Sequence, residues 1–251
     1  MLVLAGAFLL TMPVFLVRSR GRTLDPNVIR RPAPPSVTEW LREWLNWLMS
    51  PLERAAVRRR LAPEVFNHIG LALGFVAGAA FAAGLLAVGG ALYLFCGAAD
   101  VLDGRIARAR GVTSLYGAFL DSTLDRFAET FVFLGLAWLF RGRPWAALIA
   151  VFALGGSLLV SYTRARGQSL GVDFRKGIMQ RAERIVLLSL AALFDGVVTR
   201  RVGWTAGTLL ACTVALIGAG SFATAVYRTV AIGRELRGKG NEADGTGGEG
   251  V

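Results

Sequence analysis

The sequence predicts an all-α integral membrane protein with six transmembrane helices preceded by an amphipathic interfacial helix. Two observations favour this fold: 54% of the 251 residues are hydrophobic, and the mean hydropathy is +0.53. Soluble domains are only about 45–50% apolar even when glycine is counted. The apolar residues also cluster in blocks near the roughly 20 residues that a helix needs to cross a bilayer. We therefore expect a multi-pass membrane protein with one main domain.

Residues 1–35 combine a hydrophobic segment with a proline-rich linker. Met1–Val17 is apolar and is followed by several arginines. Because it lacks the charged beginning of a signal peptide, it is either a short membrane anchor with its basic end in the cytosol or a stretch upstream of the true start. Prolines then interrupt regular structure as far as Pro35.

Residues 36–62 are expected to form amphipathic helices at the membrane surface. Ser36 and Glu39 have the spacing of a helix-capping box. Three tryptophans at helical spacing suit a helix lying in the interface: Trp40, Trp44 and Trp47. A second helix is predicted to start at Pro51, since proline is favoured at the first helical position.

Six apolar segments make up the predicted domain of residues 63–237. They are expected near Val65–Val88, Ala91–Ala109, Leu115–Phe140, Trp145–Thr163, Ile178–Val198 and Val202–Ile232. Residues 238–251 are glycine-rich and polar and are expected to be a disordered tail.

The formal net charge of +11 is distributed unevenly between the segments that join the predicted spans. One side collects Arg105, Arg108, Arg110, Arg164, Arg166, Arg175, Lys176, Arg181, Arg184, Arg228, Arg234 and Arg237, and the other side collects Arg141, Arg143, Arg200 and Arg201. The richer side should face the cytosol, and its charge suits anionic lipid headgroups. Nucleic-acid binding is not expected, because the basic residues flank membrane segments.

Histidine and cysteine chemistry is not expected to carry the function. His68 is the single histidine, and both cysteines, Cys96 and Cys212, lie in apolar runs without the spacing of a metal site or a disulfide framework. Any chemistry should therefore depend on carboxylates, arginines or lysines, or a bound metal.

Four carboxylates fall in two adjacent apolar segments, where ionisable groups are costly and usually functional. Asp100 and Asp103 are spaced i,i+3, and Asp121 and Asp125 are spaced i,i+4, so each pair shares one helix face. Antiparallel packing of the two helices would bring all four together. Because unpaired anions repel one another in a low dielectric, we expect hard divalent cations among them, as in two-metal phosphoryl displacement. The alternative is neutralisation by nearby arginines, namely Arg105, Arg108 and Arg126.

The same stretch resembles the signature of the CDP-alcohol phosphatidyltransferase family, D-x2-D-G-x2-A-R-x8-G-x3-D-x3-D. All eight fixed positions agree: Asp100, Asp103, Gly104, Ala107, Arg108, Gly117, Asp121 and Asp125. The resemblance implies that the aspartates bind Mg²⁺ or Mn²⁺, with two ions, and that Asp125 is also the base. It further implies that Gly104, Ala107, Arg108 and Gly117 bind CDP. Asn67 joins them at the start of the first helix, where relatives carry Pro-Asn/Asp-x-x-Thr and this chain has Pro-Glu-Val-Phe-Asn.

Two further stretches resemble the phosphatidylinositol phosphate synthase branch of that family. They are Ser161-Tyr-Thr-Arg-Ala-Arg166 and Gln180-Arg-Ala-Glu-Arg184, the second with glutamine where the branch has glutamate. The resemblance implies that Arg164, Arg166 and Arg228 hold the phosphate of the acceptor, with Arg181 and Arg184 close by. Arginine suits this role, because its fork binds phosphate in a bidentate manner. Positive-inside anchoring is the alternative explanation.

These features predict transfer of a phosphatidyl group from CDP-diacylglycerol to a phosphorylated alcohol, with inositol phosphate preferred, and release of CMP. The resemblance implies a homodimer in the cell membrane, in contact with membrane lipid, whose active site faces the cytosol. Glycerol phosphate or another alcohol is the alternative acceptor. The alternative from another class is a divalent-cation transporter, although no internal repeat of the kind common in transporters is evident.

Overall fold

The computed structural model describes residues 39–112 and 114–246, and these residues form seven α-helices and no strand. The helices are α1 (Glu39–Arg58), α2 (Pro63–Ala82), α3 (Leu86–Arg110), α4 (Leu115–Leu139), α5 (Pro144–Ser169), α6 (Arg181–Val202) and α7 (Thr208–Thr246). The all-helical fold class is therefore confirmed for the described part of the chain. The predicted segments in residues 1–38 lie outside it.

Four of the seven helices are long and apolar enough to cross a membrane: α2, α3, α5 and the part of α7 from Thr208 to Lys239. The chain is thus a multi-pass membrane protein. The two other predicted spans, α4 and α6, are of similar length, but their ionisable side chains are spread along the helix and leave no long uncharged stretch. Their charged residues are Asp121, Asp125, Arg126 and Glu129 in α4, and Arg181, Glu183, Arg184, Asp195, Arg200 and Arg201 in α6.

The first helix runs without interruption through Pro51, so the prediction of a second helix starting there was wrong. Proline removes one backbone N–H and crowds the preceding turn, but the residues on either side can still be helical. Packing supports the later half of α1, where Ala56 is buried and Val57 lies against the same cluster. The side chains of residues 39–48, including the three tryptophans, lie outside the described residues.

Among the described residues, one compact unit consists of residues 39–67 together with Ala99–Asp121. Its small core joins Ala56 of α1 to Leu102 and Ile106 of α3. Polar contacts support this packing, since Arg105 donates from Nε to Oε2 of Glu53 at 2.6 Å. The carboxyl-terminal half of α3 is therefore held by α1.

The second unit comprises His68–Ala98 and the described residues from Ser122 onward, 122–246. Its core extends from Phe81 in α2 to Ile217 in α7, and α7 packs against both α5 and α6. Helices α2 and α4 approach most closely at Gly78 and Gly135, where a Cβ atom on Gly135 would overlap the backbone carbonyl of Gly78. Such small residues let membrane helices pack backbone to backbone.

Two boundaries near the carboxyl terminus differ from the predicted ones. Gly203 adopts a left-handed conformation (φ 75°) and ends α6, so α7 begins at Thr208 and not at Val202. Helix α7 then continues to Thr246, so the predicted disordered tail is helical from residue 238 to residue 246. Extending an existing helix avoids the costly nucleation step, and an ion pair between Glu235 and Lys239 adds support. Residues 247–251 lie outside the described chain.

Candidate active site

Three carboxylates converge in the unit that contains the end of α3 and the start of α4. Asp100 and Asp103 lie on α3 and Asp121 on α4, and one ligand oxygen from each lies within 4.8 Å of the other two. Asp103 is buried, whereas Asp100 and Asp121 are half-buried. Clustered carboxylate oxygens are the ligands that hard divalent cations prefer. The donor set therefore fits Mg²⁺ or Mn²⁺.

A cavity of about 150 Å³ adjoins two of these carboxylates. It is lined by Pro63, Glu64, Asn67, Asp103, Gly104, Ala107, Arg108, Val112, Ser114, Gly117, Ala118 and Asp121. All five residues predicted to bind CDP are thus found in one lining: Asn67, Gly104, Ala107, Arg108 and Gly117.

The glycines of the signature keep this cavity open next to the helix backbone. A Cβ atom on Gly104 would lie 3.2 Å from Nη1 of Arg108, and one on Gly117 would lie 3.1 Å from Oγ of Ser114. The Ser114 hydroxyl also accepts the N–H of Gly117 at 2.9 Å, which orders the first turn of α4. A side chain at either glycine would therefore occupy space that an extended ligand could use.

Asp125, the fourth aspartate of the signature, has a different environment. It is not a member of the three-carboxylate group. Its Oδ1 lies 2.7 Å from Nη2 of Arg181 on α6, and its Oδ2 lies 3.5 Å from Nη1 of Arg126. All four aspartates were predicted to converge. The structure brings Asp100, Asp103 and Asp121 together and places Asp125 in an ion pair with Arg181.

Arg184, one turn after Arg181 on α6, makes three hydrogen bonds inside the protein. Its Nε donates to Oε1 of Glu129 at 2.8 Å, and its Nη2 donates to Oε2 at 3.2 Å. Its Nη1 donates to the carbonyl oxygen of Met179 at 3.2 Å. Arg184 and Glu129 are each only 1% exposed. Sequence reasoning missed Glu129, although its position four residues after Asp125 repeats the spacing of Asp121 and Asp125.

Arg228 of α7 also uses its guanidinium on the protein. It donates to the carbonyl oxygens of Lys176 at 3.0 Å, Val160 at 2.8 Å and Arg175 at 3.1 Å. Three of its five N–H donors are used in this way. Two of these carbonyls belong to the segment between α5 and α6, so Arg228 anchors that segment to α7.

The other two predicted acceptor arginines lie at the end of α5. Arg164 is half-buried and Arg166 is exposed, and Arg164 is close enough to Arg228 for electrostatic repulsion between them. Arg166 contacts Oγ of Ser169 at 3.5 Å. Among the described residues, the side chains of Arg164 and Arg228 therefore lie close enough to interact electrostatically.

Comparisons with known proteins agree with these features. Residues 60–218 match the family model for CDP-alcohol phosphatidyltransferase. A phosphatidylinositol phosphate synthase of Streptomyces avermitilis is 33% identical over 230 residues, which is 87% of this chain and 90% of that protein.

Solved structures of a Mycobacterium tuberculosis phosphatidylinositol phosphate synthase have a similar fold. The crystal structure with CDP-DAG bound is 27% identical, has a TM-score of 0.64, and covers 73% of this chain and 92% of its own. A second crystal structure of that protein, in complex with manganese and citrate, is also 27% identical with a TM-score of 0.64. The match covers 72% of this chain and 87% of that one.

Proposed function

Because this chain belongs to the CDP-alcohol phosphatidyltransferase family, as its signature predicted, we propose that it transfers a phosphatidyl group from CDP-diacylglycerol to inositol phosphate and releases CMP. The enzyme class follows from the family. The donor and acceptor are supported by the Streptomyces relative, a phosphatidylinositol phosphate synthase, and by the solved neighbour with CDP-DAG bound. The observation that carries the proposal is the convergence of Asp100, Asp103 and Asp121 beside a glycine-lined cavity.

The three converging aspartates would hold the metal, with Asp125 completing the set when two ions bind. The neighbouring fold with manganese supports this choice of ion. When bound, Mg²⁺ or Mn²⁺ supplies charge neutralisation for the diphosphate and for the leaving CMP. This function also explains why several carboxylates lie close together at a membrane helix, where ionisable groups are otherwise costly.

The glycine-lined cavity is proposed to hold the CDP part of the donor. Gly104, Ala107 and Gly117 leave the helix backbones accessible, and Arg108 offers cationic N–H donors to the phosphates. Asn67 adds an amide that can both donate and accept hydrogen bonds. These side chains orient the lipid-side phosphorus for attack, and such positioning can account for a large share of the rate.

The acceptor phosphate is proposed to bind at Arg164, Arg166 and Arg228. Arg228 retains two N–H donors beyond the three that hold backbone carbonyls among the described residues. Arg164 and Arg228 repel one another in the absence of an anion, and a phosphate dianion would relieve that repulsion. Glycerol phosphate would satisfy the same arginines, so the acceptor must be identified by experiment.

In the transfer step, the acceptor hydroxyl oxygen forms a bond to the lipid-side phosphorus as the bond to the bridging diphosphate oxygen breaks. Asp125 is proposed to take the hydroxyl proton, since carboxylates serve as general bases when they are within reach. CMP leaves with the electron pair of the broken bond. Atoms and charge balance without any further reactant.

We place the active site at the cytosolic face of the cell membrane, since the arginine-rich segments should stay inside. Helices α4 and α6 are proposed to complete a six-helix bundle over residues 63–237, with their charged side chains facing other helices. Helix α1 would lie along the membrane surface. A homodimer is proposed from the family resemblance alone.

The test is CMP release by the purified full-length chain with CDP-diacylglycerol and Mg²⁺, measured with inositol phosphate, inositol and glycerol phosphate in parallel. Asp121→Asn removes one carboxylate of the group, and activity should fall at least about 100-fold if metal binding drives catalysis. Glu235→Gln is the matched control, because Glu235 is an exposed residue paired with Lys239, and it should retain full activity.

Release that requires inositol phosphate and is lost in Asp121→Asn would support the whole proposal. Release only with another acceptor would keep the reaction and replace the acceptor. Replacing Arg164 and Arg166 together should raise the KM for inositol phosphate and leave the KM for CDP-diacylglycerol unchanged. If the double variant keeps its acceptor KM, these two arginines do not bind the phosphate.

A further inference from the structure

Two ion pairs join α4 and α6 about one helical turn apart, and we call them the upper and the lower rung. The upper rung is Asp125–Arg181 at 2.7 Å, and the lower rung is Glu129–Arg184 at 2.8 Å. The carboxylates are spaced i,i+4 on α4 and the arginines i,i+3 on α6, so each set lies on one helix face. We call these four residues the α4–α6 ladder.

The two rungs differ sharply in exposure. Both side chains of the upper rung are 16% exposed, whereas both side chains of the lower rung are 1% exposed. In the lower rung, Arg184 donates to both carboxylate oxygens of Glu129 and to the carbonyl oxygen of Met179. The buried Tyr93 is a further close neighbour of Glu129. Glu129 therefore fixes the direction of the Arg184 guanidinium.

Stability alone is a weak reason for a fully buried ion pair. Removing two charges from water is costly, and well-packed apolar residues of similar volume often stabilise a protein equally well or better. What the bidentate pair provides is geometry, because Arg and carboxylate meet in one plane and at one separation. It fixes which turn of α6 lies opposite which turn of α4, and so brings Arg181 to Asp125 one turn away.

We propose that Glu129 and Arg184 are positioning residues, which hold α4 and α6 in the register that presents Asp125 to the reaction. Arg184 then acts through Glu129 and not as a ligand of the acceptor phosphate. This inference rests on the proposed function insofar as Asp125 takes part in the transfer. It adds Glu129, which lies outside the family signature, to the residues on which turnover depends.

The double variant Glu129→Met/Arg184→Met tests the inference, because two apolar side chains of similar length replace the lower rung. It should remain folded, with a Tm equal to or above that of the parent. Its kcat should fall about tenfold to 100-fold, since a shift of about 1 Å at the reacting groups can cost that much. The KM values for CDP-diacylglycerol and for the acceptor should stay within about twofold, as expected when bound substrates are held equally well but react more slowly.

Two results would overturn the inference. A folded double variant with the parent kcat would show that the register does not need the lower rung. A rise of more than about tenfold in acceptor KM at unchanged kcat would identify Arg184 as a ligand of the acceptor. Should the double variant fail to fold, Arg184→Lys answers the same question, because it keeps the charge but loses the fork.

A cross-linking measurement tests the register without any enzymatic activity, so it separates this inference from the proposed function. Cysteines replace Asp125 and Arg181 in a chain whose native Cys96 and Cys212 are changed to alanine, and a short bismaleimide joins them. The cross-linked fraction should be high with Glu129 and Arg184 present and should fall severalfold with both changed to methionine. An unchanged fraction would refute the positioning role even if the parent enzyme uses another acceptor or none of those tested.

Discussion

The Asp195 carboxylate of α6 supports the beginning of α7. Replacing it should lower thermal stability, by a smaller amount for asparagine than for alanine. Its Oδ2 accepts the N–H of Gly207 at 2.7 Å, and its Oδ1 accepts the N–H of Leu210 at 3.1 Å. The first N–H groups of a helix have no partner within the helix. Because Asp195 is fully buried, water does not replace it readily when it is removed.

The size of the effect follows from the number of acceptors that each variant retains. Asp195→Ala removes both and strands two buried N–H groups, each costing about 1–3 kcal/mol, so the loss should be about 2–6 kcal/mol. Asp195→Asn keeps one carbonyl oxygen and presents an NH₂ group to the other donor, so about half of that loss is expected. At about 2–4 °C per kcal/mol for a chain of this size, the Tm of the alanine variant should drop by at least about 4 °C.

The assay is thermal unfolding of the purified protein in detergent at a fixed scan rate, because membrane proteins often unfold irreversibly. Asp173→Ala is the matched control, since Asp173 is exposed and pairs only at the surface, and its Tm should match the parent. Position 195 is 14 residues from Arg181, about 21 Å along α6, so kcat measured well below the Tm should not change. Equal Tm values for the parent, asparagine and alanine proteins would refute the argument that these two bonds hold the start of α7.

Three other outcomes follow from contacts in the second unit. Arg228→Lys loses the fork that holds three carbonyls, so limited trypsin treatment should cut after the exposed Arg175 faster than in the parent, and equal rates would contradict the anchoring role. Gly135→Ala should destabilise the protein by about 1–3 kcal/mol through overpacking against α2, whereas Gly196→Ala, with open space around it, should be neutral or stabilising, and thermal unfolding compares the two. The pKa of the Asp173 carboxyl is held below its usual range chiefly by the hydrogen bond from Arg175, so Arg175→Gln should raise that pKa, and the carboxyl should then take up its proton at a higher pH in a carboxyl NMR titration.

The signature and the helical periods predicted the part of the site that depends on local spacing. Asp100 and Asp103 lie on one helix and Asp121 lies in the second turn of the next, so a short connection between antiparallel helices brings them together almost regardless of other contacts. The residues predicted to bind CDP are also local to these two helices and to the start of α2, and they line one cavity. Local spacing therefore sufficed for the three-carboxylate group and its cavity.

Ion pairs between distant segments could not be predicted from local spacing. Asp125 and Arg181 are 56 residues apart, and nothing in either neighbourhood specifies the other. Arg184 was expected near an acceptor phosphate because its spacing resembles a family motif, yet its guanidinium lies against Glu129. Composition likewise marks α4 and α6 poorly as membrane helices, because the partners of Asp125 and Glu129, Arg181 and Arg184, lie on the other helix.

That mutual compensation makes α4 and α6 dependent partners. Asp121, Asp125 and Glu129 follow one another at intervals of four residues and form a carboxylate stripe about 12 Å long on one face of α4. Exposed to lipid, such a stripe would be prohibitively costly. Arg181 and Arg184 neutralise its two later members, which leaves Asp121 as the member of the stripe that lies in the three-carboxylate group. Helix α4, which carries Asp121, thus requires a second helix to be stable in the membrane. The ion pairs that satisfy this requirement are the same ones proposed to position Asp125.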